Sequence, residues 1–284
     1  MAFGCSSRFG AIQMFGTTAA TEKQKEWVKM AMASSKMISS VLDEVLSLSK
    51  IEEGNLTFHK SWFNIAAAIE EVRFMFIEEA TRNDISLDYT LTGSMDGVAL
   101  AFTDEERSRL MIHADPDRLK EVLVNFCSNA IKFTASGGSV KMNATIRLRK
   151  NPTGVLSSPN AADTVRSDVV AEMDISVADT GTGIAPADFD KLFVAYSQIH
   201  PAVRSTGRGQ SSTGLGLCIT KHIVDAHGGR VYVRSDGPGK GSTFGFHLEV
   251  PSTAVTPDAQ GLMVPAAGAC PTAHFFRCCV FRRR

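Results

Sequence analysis

The chain has 284 residues, 44% of them apolar and 21% charged, and its 30 basic residues balance its 30 acidic ones. That balance gives no electrostatic reason to expect nucleic acid or an anionic membrane as the main partner. No apolar run approaches the roughly eighteen residues that a membrane helix needs, and no charged segment followed by a long apolar stretch marks a secretory signal. Six cysteines (Cys5, Cys127, Cys218, Cys270, Cys278, Cys279) are scattered without metal-ligand spacing. They read as reduced thiols of a cytoplasmic protein.

Residues 21 to 53 read as one long helix. Thr21 and Gln24 form a capping box, Lys50 sits in the last turn and Gly54 stands just past the end. Trp27, Ala31, Ser34, Ile38, Val41, Val45 and Leu48 recur at alternating steps of four and three. Such a heptad-like stripe packs lengthwise on other helices, which predicts a dimerising helical hairpin over residues 1–56. Phe9, Ile12, Met14 and Phe15 are candidates for the end of the partner helix. The competing reading is a long helix lying on its own domain.

Asn64 caps a second helix over 65–81, and short strands follow near 85–91 and 110–113. Asp115-Pro116 opens a third helix, since aspartate is a favoured N-cap and proline suits the first helical position. Its core face is Leu119, Val122 or Leu123, Phe126, Ala130 and Phe133, and Gly137-Gly138 stops it. A strand near 139–148 precedes a loop. The strand 172–178 then points Met173, Ile175 and Val177 inward and Asp174 and Ser176 outward. A helix over 214–227 and strands over 229–235 and 242–250 complete a domain spanning 57–251. This order predicts a two-layer α/β sandwich, a mixed sheet with helices on one face. Residues 252–284 read as a disordered tail, with a cysteine-and-arginine membrane anchor as a lesser alternative.

Gly237-Pro238-Gly239-Lys240-Gly241-Ser242-Thr243 lacks phosphate-loop spacing and lies between strands, so it reads as a hairpin turn. Chemistry concentrates elsewhere. Asn125, Asn129 and Lys132 are spaced by four and three and share a helix face. Amide oxygens can ligate Mg²⁺, and lysine can meet phosphate as a point charge. Asp179-Thr180-Gly181-Thr182-Gly183-Ile184 ends a strand with a carboxylate able to accept from an exocyclic amine, beside glycines that admit a flat ligand. Thr213-Gly214-Leu215-Gly216-Leu217 opens a helix, where backbone N–H groups attract anions. Between them lie Phe193 to Gln198 and a lid-like stretch with Arg204, Gly207, Arg208 and Gly209.

Taken together, these motifs resemble the catalytic domain of sensor histidine kinases of the hybrid type, within the superfamily that includes gyrase- and Hsp90-type ATPases. Asn125 to Thr134 looks like the N box, Asp179 to Ile184 the first glycine box, Phe193 to Gln198 the F box, and Gly214 to Leu217 the second glycine box. Leu42 to Gly54 is similar to the end of a dimerisation helix. The resemblance implies that Asn129 and Asn125 help hold Mg²⁺, Lys132 contacts phosphate and Asp179 reads the adenine of ATP. Gly181, Gly183, Gly214 and Gly216 then shape the pocket, with Ile184, Phe193, Thr213, Leu215 and Leu217 among the binding residues.

Asn125 discriminates within that superfamily. Its ATP-hydrolysing branches carry a glutamate base at this place, and an amide cannot take a proton from water. The implied reaction is therefore transfer of the γ-phosphoryl to a histidine in a phosphorelay, with a response-regulator receiver as partner. The acceptor motif itself is not found. His59, His113, His200, His222, His227, His247 and His274 all follow the dimerisation helix and read as surface or core residues. Ser212 stands where the family often has glycine, and Tyr196 where phenylalanine is usual. The expectation is a chain that starts a few residues late, binds Mg-ATP and serves a histidine on a homo- or heterodimer partner. A silent nucleotide-binding regulator, a gyrase- or Hsp90-branch ATPase and a serine kinase of the dehydrogenase-kinase or anti-sigma type are the alternatives.

Overall fold

A computed structural model of the chain describes residues 21–53, 57–100, 102–151, 155–156, 165–197, 213–252, 255–257 and 263–265. The expected partner helix near 9–16, the stop at Gly54, the stretch from 198 to 212 with its arginines and Ser212, and most of the tail lie outside the described residues.

Helix α1 (Glu22–Glu52) begins as expected: the Thr21 N–H donates to Gln24 Oε1 at 2.9 Å. Strand β1 (Ser61–Asn64) follows, and Asn64 caps α2 (Ile65–Arg82) by accepting from the Ala67 N–H. Next come β2 (Ser86–Met95), β3 (Val98–Leu100), a short α3 (Asp104–Arg109), β4 (Met111–Ala114) and α4 (Pro116–Phe133). The remaining elements are β5 (Ser139–Lys150), β6 (Val155–Leu156), β7 (Val165–Arg166), β8 (Val169–Asp179), a 3-10 turn (Pro186–Lys191), α5 (Gly216–Ala226), β9 (Arg230–Arg234) and β10 (Ser242–Ser252). A small hairpin of β11 (Val255–Pro257) and β12 (Met263–Pro265) lies in the segment expected to be disordered.

Among the described residues one mixed sheet runs β1-β4-β10-β8-β5-β2-β3, with β9 also paired to β10. Only β2 and β5 pair in parallel; the other ladders of this sheet are antiparallel. One face is apolar and buried under α2, α4 and α5: Met142, Ala144, Ile146 and Leu148 of β5 alternate inward, as do Met173, Ile175 and Val177 of β8. Helix α4 sits over the middle of this face and touches β5, β8 and β10. Val122 and Leu123 are both fully buried, because a helix flanked by two others needs a wider apolar stripe than one seam. Phe133, expected in that stripe, is only half-buried, and Ile131 takes the buried place instead.

Several sequence expectations shift for physical reasons. Helix α4 ends at Phe133, before Gly137-Gly138, because Thr134 turns extended (ψ 132°) and its hydroxyl donates to the Ala130 carbonyl at 2.6 Å. The glycines make the turn that follows, where Gly137 has φ +79°. Ser176 is buried rather than outward in solvent. The Tyr232 ring covers this spot, lying over Gly245, whose Cα has no room for a side chain: an added Cβ would come within 2.5 Å of the ring. The Tyr232 hydroxyl donates to Asp174 at 2.7 Å. Burial and this acidic partner push the phenol up to about 12. Strand β1 and helix α3 escape a periodicity reading because four- and six-residue elements carry little of it.

Among the described residues, helix α1 packs on the domain through its last turns. Leu48 is buried, Ile51 packs on the core, and the helix runs against α5. Trp27, Ile38 and Val45 of the expected stripe are exposed, at 61%, 62% and 39%, with Met30, Leu42 and Leu46 exposed beside them.

Candidate functional site

Helix α4 is the axle of the site. Asp115 caps it, accepting the N–H groups of Asp117 and Arg118 on Oδ1 and that of His59 on Oδ2. The cap is 3% exposed and sets where the helix begins. That phase turns Asn125, Asn129 and Lys132 to a half-buried face. The Asn125 amide donates to the Thr220 hydroxyl of α5 at 2.8 Å, and Asn129 donates to Asn125 Oδ1 at 3.2 Å. Gly216 fits closely against this pair, since a Cβ there would lie 2.5 Å from Asn125 Oδ1. The amides and the start of α5 are therefore locked together, with Asn129 Oδ1 accepting no hydrogen bond among the described residues.

Asp179 ends β8 and is 8% exposed. Its Oδ1 accepts the Gly181 N–H at 2.8 Å and the Ser242 N–H at 3.2 Å, and its Oδ2 accepts the Ser242 hydroxyl at 2.6 Å. A carboxylate has about four acceptor positions, so three are used in holding it and one is left. The loop after it is forced to be glycine-rich. Gly183 has φ +64°, and a Cβ on it would come within 2.1 Å of the Gly237 carbonyl. At Gly181, a Cβ would lie 2.4 Å from the Phe133 carbonyl at the end of α4. The Thr182 N–H donates to that same carbonyl at 3.2 Å, so α4 and the first glycine loop are joined.

The hairpin turn at Gly237-Pro238-Gly239 is thus more than a connection. The Gly239 N–H donates to the Thr182 carbonyl at 2.6 Å and the Gly241 N–H to the Gly181 carbonyl at 3.1 Å. Ser235 braces it, its hydroxyl donating to the Gly241 carbonyl at 2.6 Å while accepting the Ile184 N–H at 3.0 Å.

At the other end, Gly214 has φ +75° and its carbonyl accepts the Tyr196 N–H at 3.0 Å. The Leu215 N–H donates to the Thr213 hydroxyl at 3.2 Å, and that hydroxyl donates to Glu44 of α1. Helix α5 starts at Gly216, two residues after the expected place, because Gly214 is left-handed and cannot belong to it.

The predicted residues divide into groups. Asn125, Asn129, Thr213, Gly214 and Gly216 are brought together around the start of α5, and Asp179, Gly181 and Gly183 around the end of β8. Ile184 and Leu215 are buried in the core, and Leu217 packs against it. Lys132 is half-buried, its Nζ 5.5 Å from the Phe133 ring centroid, with no carboxylate partner among the described residues. Burial lowers its pKa from the ordinary lysine value. Phe193 is half-buried after the 3-10 turn, where Phe189, Leu192 and Ala195 make the core contacts. Sequence reasoning missed Ser242, Thr220 and Glu44. The Gly-Lys-Gly-Ser signal around Ser242 was visible, but not its place beside Asp179.

The helix rise of about 1.5 Å per residue puts Asn125 and Lys132 roughly 10 Å apart along α4. The site therefore offers a buried acceptor at one end, amides and a helix N-terminus at the other, and a lone ammonium on the connecting helix. Among the described residues no group of three or more His, Cys, Asp or Glu could hold a metal ion, and no helix is long and apolar enough to cross a membrane.

Residues 114–252 match the family described as histidine kinase-, DNA gyrase B-, and HSP90-like ATPase. The sensor protein GacS of Pseudomonas syringae pv. syringae is 30% identical over 87% of this chain and 23% of its own length. Sensor histidine kinase GacS of Pseudomonas protegens is 31% identical over 86% and 23%, respectively. The chain thus spans about a quarter of these curated relatives. In fold it is similar to full-length ShkA solved in complex with AMPPNP, with a TM-score of 0.59 and 24% identity over 86% of this chain and 42% of that one. Residues 114–252 form a domain of the histidine kinase-, DNA gyrase B- and HSP90-like ATPase family, in a chain whose curated relatives include a sensor histidine kinase.

Proposed function

We propose that this chain supplies the ATP-binding kinase part of a sensor histidine kinase. It passes the γ-phosphoryl of ATP to a histidine on another segment or subunit, and the phosphoryl then goes to a response-regulator receiver domain. The observation that supports this most directly is the buried Asp179 carboxylate, with one acceptor position left after Gly181 and Ser242 are satisfied. An adenine amino group is a donor of the right kind for it.

In this reading Gly181 and Gly183 let the purine lie against backbone, with Ile184, Leu215 and Leu217 among the binding residues. Thr213, Gly214 and Gly216 present N–H groups to the phosphates. Lys132 neutralises phosphate charge, and its partial desolvation strengthens that attraction. Asn129 and Asn125 fit a hard cation through amide oxygen, together with phosphate oxygens. When bound, Mg²⁺ supplies charge neutralisation across the phosphates. Asn125 takes no proton, so it offers no base for water. Its residues hold the phosphate tail in line for an incoming imidazole nitrogen, which bonds to the γ-phosphorus as the bond to the β,γ-bridging oxygen breaks and ADP leaves. Helix α1, with its exposed apolar side chains, suits a homo- or heterodimer interface in the cytoplasm. That ShkA was solved with AMPPNP supports the nucleotide reading.

The test is Mg-dependent ATP binding by calorimetry, with transfer of labelled γ-phosphate to an added dimerisation-helix acceptor carrying a histidine. Asp179→Ala and Asn129→Ala are expected to weaken binding about 30-fold or more, as truncating a group that pairs with a buried polar ligand does, and to abolish transfer. Binding without transfer would favour a silent regulator, and wild-type chain that binds no ATP would overturn the reading.

A further inference from the structure

The last turns of α1 lie along the first turns of α5 in a way that bears on the nucleotide. Glu44, Leu48 and Ile51 are spaced by four and three and form one face. Leu48 is 6% exposed and Ile51 packs on the core that includes Leu215 and Cys218. One turn before Leu48, the Glu44 carboxylate accepts the hydroxyl of Thr213, and that hydroxyl accepts the Leu215 N–H. Thr213 precedes Gly214-Leu215-Gly216, where α5 begins. A fixed negative charge therefore rests at the positive end of an 11-residue helix, satisfying by relay one of its orphan N–H groups.

An anionic side chain in that place meets the same N-terminal N–H groups that attract a phosphate. We propose that Glu44 is an internal competitor of the nucleotide's phosphate tail: docking of α1 through Glu44 and binding of the triphosphate at the start of α5 oppose one another. Like charges cannot both rest at one helix N-terminus without cost, and Thr213 cannot serve both partners with one hydroxyl proton. By linkage, whatever moves α1 changes ATP affinity, and ATP loosens α1 by the same factor. Glu44 is a positioning residue in this scheme, acting through Thr213 rather than on the reacting atoms. The inference rests on the nucleotide reading of the site.

The test uses the full chain and two ligands, Mg-ATP and adenosine, titrated into wild type, Glu44→Gln and Glu44→Ala. Adenosine reports the Asp179 end alone and doubles as a control for folding. Glu44→Gln keeps an acceptor for Thr213 and removes only the charge. The expected result is ATP affinity raised roughly five- to tenfold in both variants, within the usual range of coupling between sites, with adenosine affinity unchanged. ATP affinity that stays the same, falls, or moves together with that of adenosine would overturn the competition. Loss of ATP binding in all three proteins would instead sink the nucleotide site itself, a distinguishable failure.

Discussion

At the scale of single residues, much of the site is decided by atoms that are missing. Gly183 holds φ +64°, with the Gly237 carbonyl where its Cβ would be. Gly183→Ala must strain the backbone and push the hairpin turn away, at a cost of about 1–3 kcal/mol. A melting temperature several degrees lower, with ATP affinity reduced as Asp179 loses its Ser242 brace, is the expected outcome by calorimetry. An unchanged melting temperature would mean that the turn is not packed there. Legibility in the sequence also varies residue by residue. Asn125 and Asn129 were visible because one helix carries both. Ser242 was not, since it lies 63 positions from the carboxylate it holds, and Glu44 lies 169 from Thr213. Local spacing carries no information about which distant strand end meets which loop.

Among the elements, α4 and α5 show how far local rules reach. Asp115-Pro116 announced the start of α4, and its apolar stripe announced the sheet beneath. Strand β1 was not announced, because its four residues show no alternation: Ser61 is exposed and the other three are half-buried. The end of α5 depends on His227, which is buried at 7% exposure. Its Nδ1 bonds the Ile223 carbonyl at 2.8 Å, its Nε2 accepts the Asp115 N–H at 3.4 Å, and its ring meets Phe58 edge-on at 4.8 Å. Burial is the main cause of a pKa below the ordinary histidine value, with the Lys60 charge adding to it and Asp115 opposing. The folded state thus prefers neutral imidazole, while the unfolded chain takes up a proton near pH 6.5. Stability is full above that pH and is lost as pH falls through it toward the lower folded value. Thermal melts at pH 7.5 and 5.5 should show this loss, and His227→Gln should flatten it. A wild-type melting temperature independent of pH across this interval would contradict the account.

For the whole molecule, the sandwich was legible because strands and helices alternate in an order that only a mixed sheet with one covered face accommodates. The pairing of β2 with β5 in parallel was not, since strand order follows from packing of α2 and α4 rather than from either strand's residues. The role of α1 divides in the same way. Its length was readable, but its contact with α5 over the final turns was not. Ile38, 62% exposed, sits on the free part. Ile38→Asp is expected to turn a dimer into a monomer by light scattering while leaving adenosine binding untouched. A wild-type chain that is already monomeric would remove α1 from the assembly.

That helix also has a mechanical meaning. At about 1.5 Å per residue, α1 extends roughly 31 Å from Leu48 back to Trp27, so a ten-degree tilt about its clamped end swings Trp27 by about 5 Å. The same tilt shifts Glu44, one turn from the clamp, by only about 1 Å. Run in reverse, the geometry is that of a reduction gear. Coarse motion delivered at the far end arrives at Thr213 as a displacement about the size of a hydrogen bond's tolerance, enough to make or break one contact without unseating the helix.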